Sequence, residues 1–87
     1  MNITKRTGLV EPYRRAKISR VIELAFASVD SPLADEERDA MTLAIEEELL
    51  REKGAGQPLH VEDIQDLVEK TLIERNYYKE VKSFILY

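Results

Sequence analysis

From Ile18 onward the apolar residues recur at a helical period. Ile18, Val21, Ile22, Ala25, Phe26 and Val29 stand at i, i+3, i+4, i+7, i+8 and i+11, which predicts an amphipathic helix from Arg14 to about Ser28. Lys17, Arg20 and Glu23 lie off that stripe, and Asp30-Ser31-Pro32 ends it. A second helix is predicted from about Ala34 to Lys53 with Met41, Ala44, Ile45 and Leu49 as its core stripe. Asp35, Glu36 and Glu37 suit the positive end of its dipole, Arg51 and Lys53 the negative end. The run Glu46-Glu47-Glu48 reads as its solvated face, and Gly54-Ala55-Gly56 stops it. Ile64, Leu67, Val68, Thr71 and Leu72 predict a third helix from Val61 to Arg75, with Asn76 as a left-handed stop. Tyr78, Val81, Phe84 and Ile85 predict a fourth, running to Tyr87.

The N-terminus has a different pattern. Asn2 to Lys5 and Leu9 to Tyr13 are short mixed segments on either side of Arg6-Thr7-Gly8, where Gly8 can supply a positive φ. They read as a β-hairpin with Ile3 and Val10 facing inward, the second arm ended by Pro12, which cannot donate to a ladder. Gln57 to His60 reads as a short extended connection able to pair with the hairpin as a third strand. Four amphipathic helices of these lengths can bury one another's stripes as a bundle, leaving the hairpin to cover one end or face.

Eighty-seven residues make one domain with one modest core and no room for a large catalytic cleft. The absence of cysteine excludes disulfides and thiolate metal sites. No apolar run approaches the ~20 residues that span a bilayer, and no signal-peptide core opens the chain. The expectation is a soluble, cytoplasmic protein without a membrane partner.

Charge is distributed unevenly. The first twenty residues carry six cations (Lys5, Arg6, Arg14, Arg15, Lys17 and Arg20) and one acid, Glu11, for a formal +5. The other sixty-seven carry −9, and the whole chain −4. A net acidic chain is not expected to bind nucleic acid by bulk attraction, but the basic segment is where an anion would go. Arg14, Arg15 and Lys17 stand at the start of a helix, whose free N–H groups are already partly positive. Cations there are mutually unfavourable unless polyphosphate occupies the site or solvent screens them, and both readings are open. Glu11 likewise has two readings. It is a surface ion-pair partner for a neighbouring Arg, or an acceptor for ribose hydroxyls or a base edge, which cations cannot serve.

Catalytic chemistry is scarce. His60, the one histidine, stands at a loop-to-helix boundary and reads as a solvated or capping residue rather than a ligand. Neither common phosphate-cradling glycine loop occurs. Tyr77, Tyr78, Phe84 and Tyr87 read as core or interface rather than as a base-stacking platform.

The opening I-T-K-R-T-G-L-V-E-P-Y-R-R-A-K-I resembles the ATP-cone domain family, which opens V-x-K-R-D-G, then a Glu, then a K-I that starts the first helix. The segment V-E-D-I-Q-D-L-V-E-K-T-L-I-E-R-N-Y-Y-K-E-V-K-S-F-I-L-Y resembles that family's second block. The resemblance covers nearly the whole chain. It implies an α+β fold, mostly α: a four-helix bundle capped by a small three-stranded mixed sheet. It also implies a non-catalytic allosteric domain of a ribonucleotide reductase. Such a domain binds ATP, which permits activity, or dATP, which inhibits through oligomeric assembly, with Mg as a companion ion. The alternatives are the ATP-cone of a transcriptional repressor of reductase genes, a helical docking module with an aromatic C-terminus, and a DNA-binding regulator. Eighty-seven residues cannot hold the reductase barrel, so the resemblance implies a fragment or free-standing module, with the rest of a parent reductase and further copies as partners.

By motif, Lys5 and Arg6 would hold phosphates or the base from the hairpin. Glu11 and the link Pro12, Tyr13, Arg14, Arg15, Ala16 would line the nucleoside, and Lys17 would contact phosphate. From the second block, Val61 and Gln65 would reach the base and its surroundings. Substitution of Lys5 or Lys17 is accordingly expected to weaken binding more than substitution of Glu46 or Glu47. Thr7 replaces the family's usual Asp, which alters the hairpin turn more than the pocket. Arg14-Arg15 stands where an Asp is common, leaving the helix without its expected N-cap. Val61 stands where Thr is frequent, so a side-chain hydrogen bond is lost there.

Overall fold

The computed structural model describes residues 2–4, 7–54 and 59–86, with side chains through residue 83. Lys5 and Arg6 therefore lie outside the described residues, as do Gln57 and Tyr87 and the side chains of Phe84 and Ile85. In chain order the elements are β1 (Asn2–Thr4), β2 (Val10–Pro12), α1 (Arg15–Ala27), α2 (Asp35–Lys53), β3 (Leu59–His60), α3 (Val61–Glu74) and α4 (Tyr78–Leu86). The strands form one mixed sheet of order β2-β1-β3, with β1 antiparallel to β2 and parallel to β3. The helices close a ring: α1 packs on α2, α2 on α3, α3 on α4, and α4 back on α1.

Sheet register decides what faces the bundle. Ile3 pairs with Glu11 on one side and with Leu59 on the other, so side chains of this row point to one face. Ile3 and Leu59 are buried, and Glu11 shares their face. Val10 pairs with Thr4, one residue along, and points the other way; it is 60% exposed rather than inward as expected. A one-residue difference in register exchanges every side chain between faces. It is this parity that turns Glu11, not Val10, toward the helices.

The helical stripes hold, with adjustments at their edges. α1 buries Ile18, Ile22, Ala25 and Phe26, while α3 buries Ile64, Leu67, Val68 and Leu72. On α2 the buried set is Met41, Thr42, Ile45 and Leu49, and Ala44 is exposed. Thr42 takes that place because its hydroxyl is satisfied twice, by donating to the Arg38 carbonyl at 2.8 Å and sharing a 2.9 Å bond with Ser19 Oγ. α1 and α3 stop by the same device. Asp30 (φ 53°) and Asn76 (φ 66°) take left-handed geometry, and the next N–H reaches back five residues, Ser31 to Phe26 at 3.0 Å and Tyr77 to Leu72 at 2.8 Å. That turn directs Tyr77 inward, edge-on to Phe26 with ring centroids 5.0 Å apart. Tyr78 is left 60% exposed at the head of α4, its hydroxyl donating to Asn76 at 2.8 Å, outside the stripe in which it was expected. No helix among the described residues is long and apolar enough to cross a membrane.

Candidate functional site

The segment from β2 into α1 is held beside α2, and two ionic clusters fix it. In the first, Lys17 Nζ, in the first turn of α1, donates to Glu11 Oε1 on β2. Both side chains are partly exposed, at 35% and 28%. The register of the sheet places Glu11 on the bundle face, and the helical rise places Lys17 opposite it. The acid and the cation singled out by sequence thus meet across the link 12–16.

The second cluster is centred on Glu46, a member of the run that reads as a solvated face in the sequence. The Tyr13 hydroxyl donates to Glu46 Oε2 at 2.6 Å. Arg15 donates through Nη2 to Glu46 Oε1 at 2.8 Å and through Nε to both oxygens at 3.2 Å. Glu46 comes from the middle of α2 and is not part of a solvated face; its side chain is only 15% exposed, against 59% for Arg15. The hydrogen bonds from Arg15 and then Tyr13 hold its carboxyl below the usual glutamate range. Burial, followed by the hydrogen bond to Glu46, pushes the Tyr13 phenol well above its ordinary value. Glu48 is engaged as well, with Lys70 at 3.2 Å and Arg51 at 3.5 Å, which leaves Glu47 as the solvated member of the run. Glu46 follows Thr42 at i+4 on the same side of α2, and because the burial of Thr42 emerges only in the fold, the sequence carries no signal that separates Glu46 from its neighbours.

The remaining candidates fall around these clusters. Pro12 ends β2 and is exposed; Ala16 is exposed in the first turn of α1. Arg14 is the N-cap of α1 with extended geometry and no side-chain cap bond, and the first turn of α1 has no acid. The leading N–H groups of α1 thus have no side-chain cap from Arg14, and the carboxylates nearest the first turn, Glu11 and Glu46, come from β2 and α2. A groove of about 680 Å³ runs beside this helix start, lined by Arg14, Ala16, Lys17, Ser19, Arg20 and Glu23 with Arg38 from α2. Arg38 is tied to Asp35 at 3.2 Å and Asp39 at 3.1 Å.

Val61 and Gln65 come in on the opposite flank. α3 begins directly after β3, which pairs with β1 on the side away from β2, so Val61 and Gln65 are separated from the hairpin's second arm by β1. Val61 packs against the core and Gln65 is half-buried one turn further on. His60 is the N-cap of α3, its backbone N–H donating to the Asp63 carboxylate at 3.0 Å, in line with a capping role.

Chemically, the arrangement presents cations, a helix start without a side-chain cap and a carboxylate acceptor along one short stretch. That combination can take a polyanion that also carries hydroxyl donors.

The family model for the ATP cone domain matches residues 1–87. A ribonucleoside-diphosphate reductase subunit alpha of Treponema pallidum (strain Nichols) is 50% identical over 90 residues, which cover 100% of this chain and 11% of that protein. Its counterpart from Chlamydia pneumoniae is 34% identical over 91 residues, 98% of this chain and 9% of that protein. The chain therefore spans about a tenth of the length of these curated relatives.

Proposed function

The chain belongs to the ATP-cone domain family, whose members bind adenine nucleotides as effectors, and from that premise we propose that it is the allosteric domain of a ribonucleotide reductase alpha subunit. In this reading ATP and dATP compete for the segment from β2 into α1, and the nucleotide bound sets the activity of the parent enzyme through its oligomeric assembly. The matched relatives are reductase alpha subunits that carry the similar segment within a far longer chain, which supports this placement.

The observation that carries the proposal is the Glu11–Lys17 pair at a helix start that has no side-chain N-cap. A nucleotide's phosphates would draw Lys17 and the first N–H groups of α1, a charge-assisted contact favoured by the helix dipole. Glu11 would then accept hydrogen bonds from ribose hydroxyls, a job that needs an anion beside the cations. Arg14, exposed at the N-cap, extends the phosphate-facing side, while Val61 and Gln65 approach from the α3 flank. Lys5 and Arg6 belong to the same proposal by motif. Magnesium enters as the counter-ion of the triphosphate.

Calorimetric titration of the protein with ATP and dATP, with and without Mg²⁺, tests this. Saturable binding of both is expected, weakened by Lys17→Ala and unaffected by Glu47→Ala. Absence of saturable binding at millimolar nucleotide, with the helical circular dichroism intact, would contradict it. Equal effects of Lys17→Ala and Glu47→Ala would remove the proposed site.

A further inference from the structure

We propose that Glu46 is a positioning residue for the nucleotide site: through Tyr13 and Arg15 it holds the link between β2 and α1 in register, and Arg15 is committed to this carboxylate rather than to phosphate. The proposal rests on the nucleotide-binding reading and concerns how that site is built.

The link needs an anchor that its own backbone does not supply. Residues 13 and 14 belong to neither strand nor helix; the Arg14 carbonyl accepts from the Lys17 N–H at 3.0 Å at the helix start, but Arg14 makes no side-chain cap. The link is instead fastened from α2, more than thirty positions away in sequence. Tyr13 packs its ring against the core and donates its hydroxyl to Glu46 at 2.6 Å. Arg15 grips the same carboxylate side-on through Nε and Nη2, at 3.2 and 2.8 Å. With these donors most of the acceptor positions of one carboxylate are used, so Glu46 has little capacity left for a ligand hydroxyl. Glu46 is the fixed end, well covered and carried on the longest helix; Arg15 is the exposed end.

Position in sequence gives the clasp its consequence. Glu11 and Lys17, the two residues that face each other across the link, flank Tyr13 and Arg15 on either side. Their separation therefore depends on where α2 holds the segment between them. Arg15 also sits in the first turn of α1, where a cation is disfavoured by the helix dipole, and the Glu46 carboxylate offsets that. Transfer of Arg15 to a phosphate would strip a poorly exposed carboxylate of its main partner, an unfavourable exchange.

The test measures ATP and AMP affinity for the wild-type protein and for Glu46→Ala, Arg15→Ala and the double variant, with thermal melts alongside. Each single substitution is expected to weaken ATP about tenfold, the scale of one charge-assisted hydrogen bond. Three further results are expected: the loss at Arg15→Ala is the same for AMP as for ATP, the double variant is no worse than Glu46→Ala, and Glu46→Gln recovers part of the affinity. Glu46→Gln also serves as the reporting variant if Glu46→Ala does not fold. A loss at Arg15→Ala that grows with the number of phosphates would overturn the proposal, because it would make Arg15 a direct phosphate ligand. Wild-type affinity in Glu46→Ala and Glu46→Gln would overturn it too, leaving the nucleotide reading standing. A wild-type protein that binds neither nucleotide removes both.

Discussion

Replacing Lys17 by methionine separates the contribution of this residue to the fold from its contribution to binding. The side chain keeps an unbranched apolar stem, and only the ammonium is lost. In the protein that ammonium pairs with Glu11, both partners remaining about a third exposed, at 35% and 28%. Solvent screening at such exposure limits the pair to ~0–1 kcal/mol. For a domain of this size 1 kcal/mol corresponds to about 4–8 °C in Tm, so the melt should move by that much or less. The contribution to nucleotide binding is larger. A charge-assisted hydrogen bond to phosphate contributes about 1.5–3 kcal/mol, which converts to about ten- to a hundredfold in affinity. Lys17→Met is thus expected to bind ATP ten- to a hundredfold more weakly while melting within a few degrees of the parent. Circular dichroism melts and calorimetry on the same preparations give both numbers. A melt lowered by much more than 8 °C would mean that Lys17 is chiefly structural. An unchanged melt with unchanged ATP affinity would mean that the phosphate contact was misassigned.

Urea denaturation of Ile3→Ala and Val10→Ala should split sharply: Ile3 is buried and its truncation is expected to cost about 2–5 kcal/mol, whereas Val10 on the outer face should stay within about 0.5 kcal/mol. Equal losses would contradict the sheet register. Because the Glu46 carboxyl is held below its ordinary value of 4.5, its contribution is complete above that pH and is lost as the pH falls through the lowered folded value. Melting temperatures from pH 7 to pH 3 should therefore fall less steeply for Glu46→Gln than for the parent, and parallel curves would contradict the clasp. Gly8 sits at φ 87° with nothing within 4 Å of a built Cβ, so Gly8→Ala should cost ~1 kcal/mol from backbone strain alone. Gly8→Asn should recover part of it in the same urea assay, and no recovery would point to a lost contact instead.

The helices were legible because each carries two independent signals. In α1 the apolar period and the Asp30-Ser31-Pro32 break agree, and the helix observed at Arg15–Ala27 lies within one residue at each end of the stretch expected. In α3 the period and the Asn76 stop agree in the same way. The facing of Val10 was not legible, because two three-residue arms alternate equally well in either register and only the pairing of Ile3 with Glu11 decides between them. Ala44 and Thr42 exchanged roles for a related reason. A stripe buried between α1 and α3 is wider than one neighbour requires, and a threonine with two hydrogen-bond partners fills its edge.

The candidate site was half legible. Glu11 and Lys17 were visible as a lone acid among cations and a cation at a helix start, and the fold brings them into contact. The Arg14-Arg15 pair, unexpected for the family, divides into two different roles: Arg15 is held by Glu46, and Arg14 faces the groove beside α1. Nothing local in the sequence separates them, since their partner lies on α2 in a run of three acids that looks uniformly solvated. Tertiary placement distinguishes Glu46 from Glu47 where composition cannot.

Amide chemical-shift mapping by NMR during titration with ATP tests the central claim most directly. Saturable shifts are expected to concentrate at Glu11 to Lys17, with a second group at Val61 to Gln65. Shifts confined to the outward face of α3, around Glu69 and Ile73, or no saturable shifts at millimolar ATP, would contradict it.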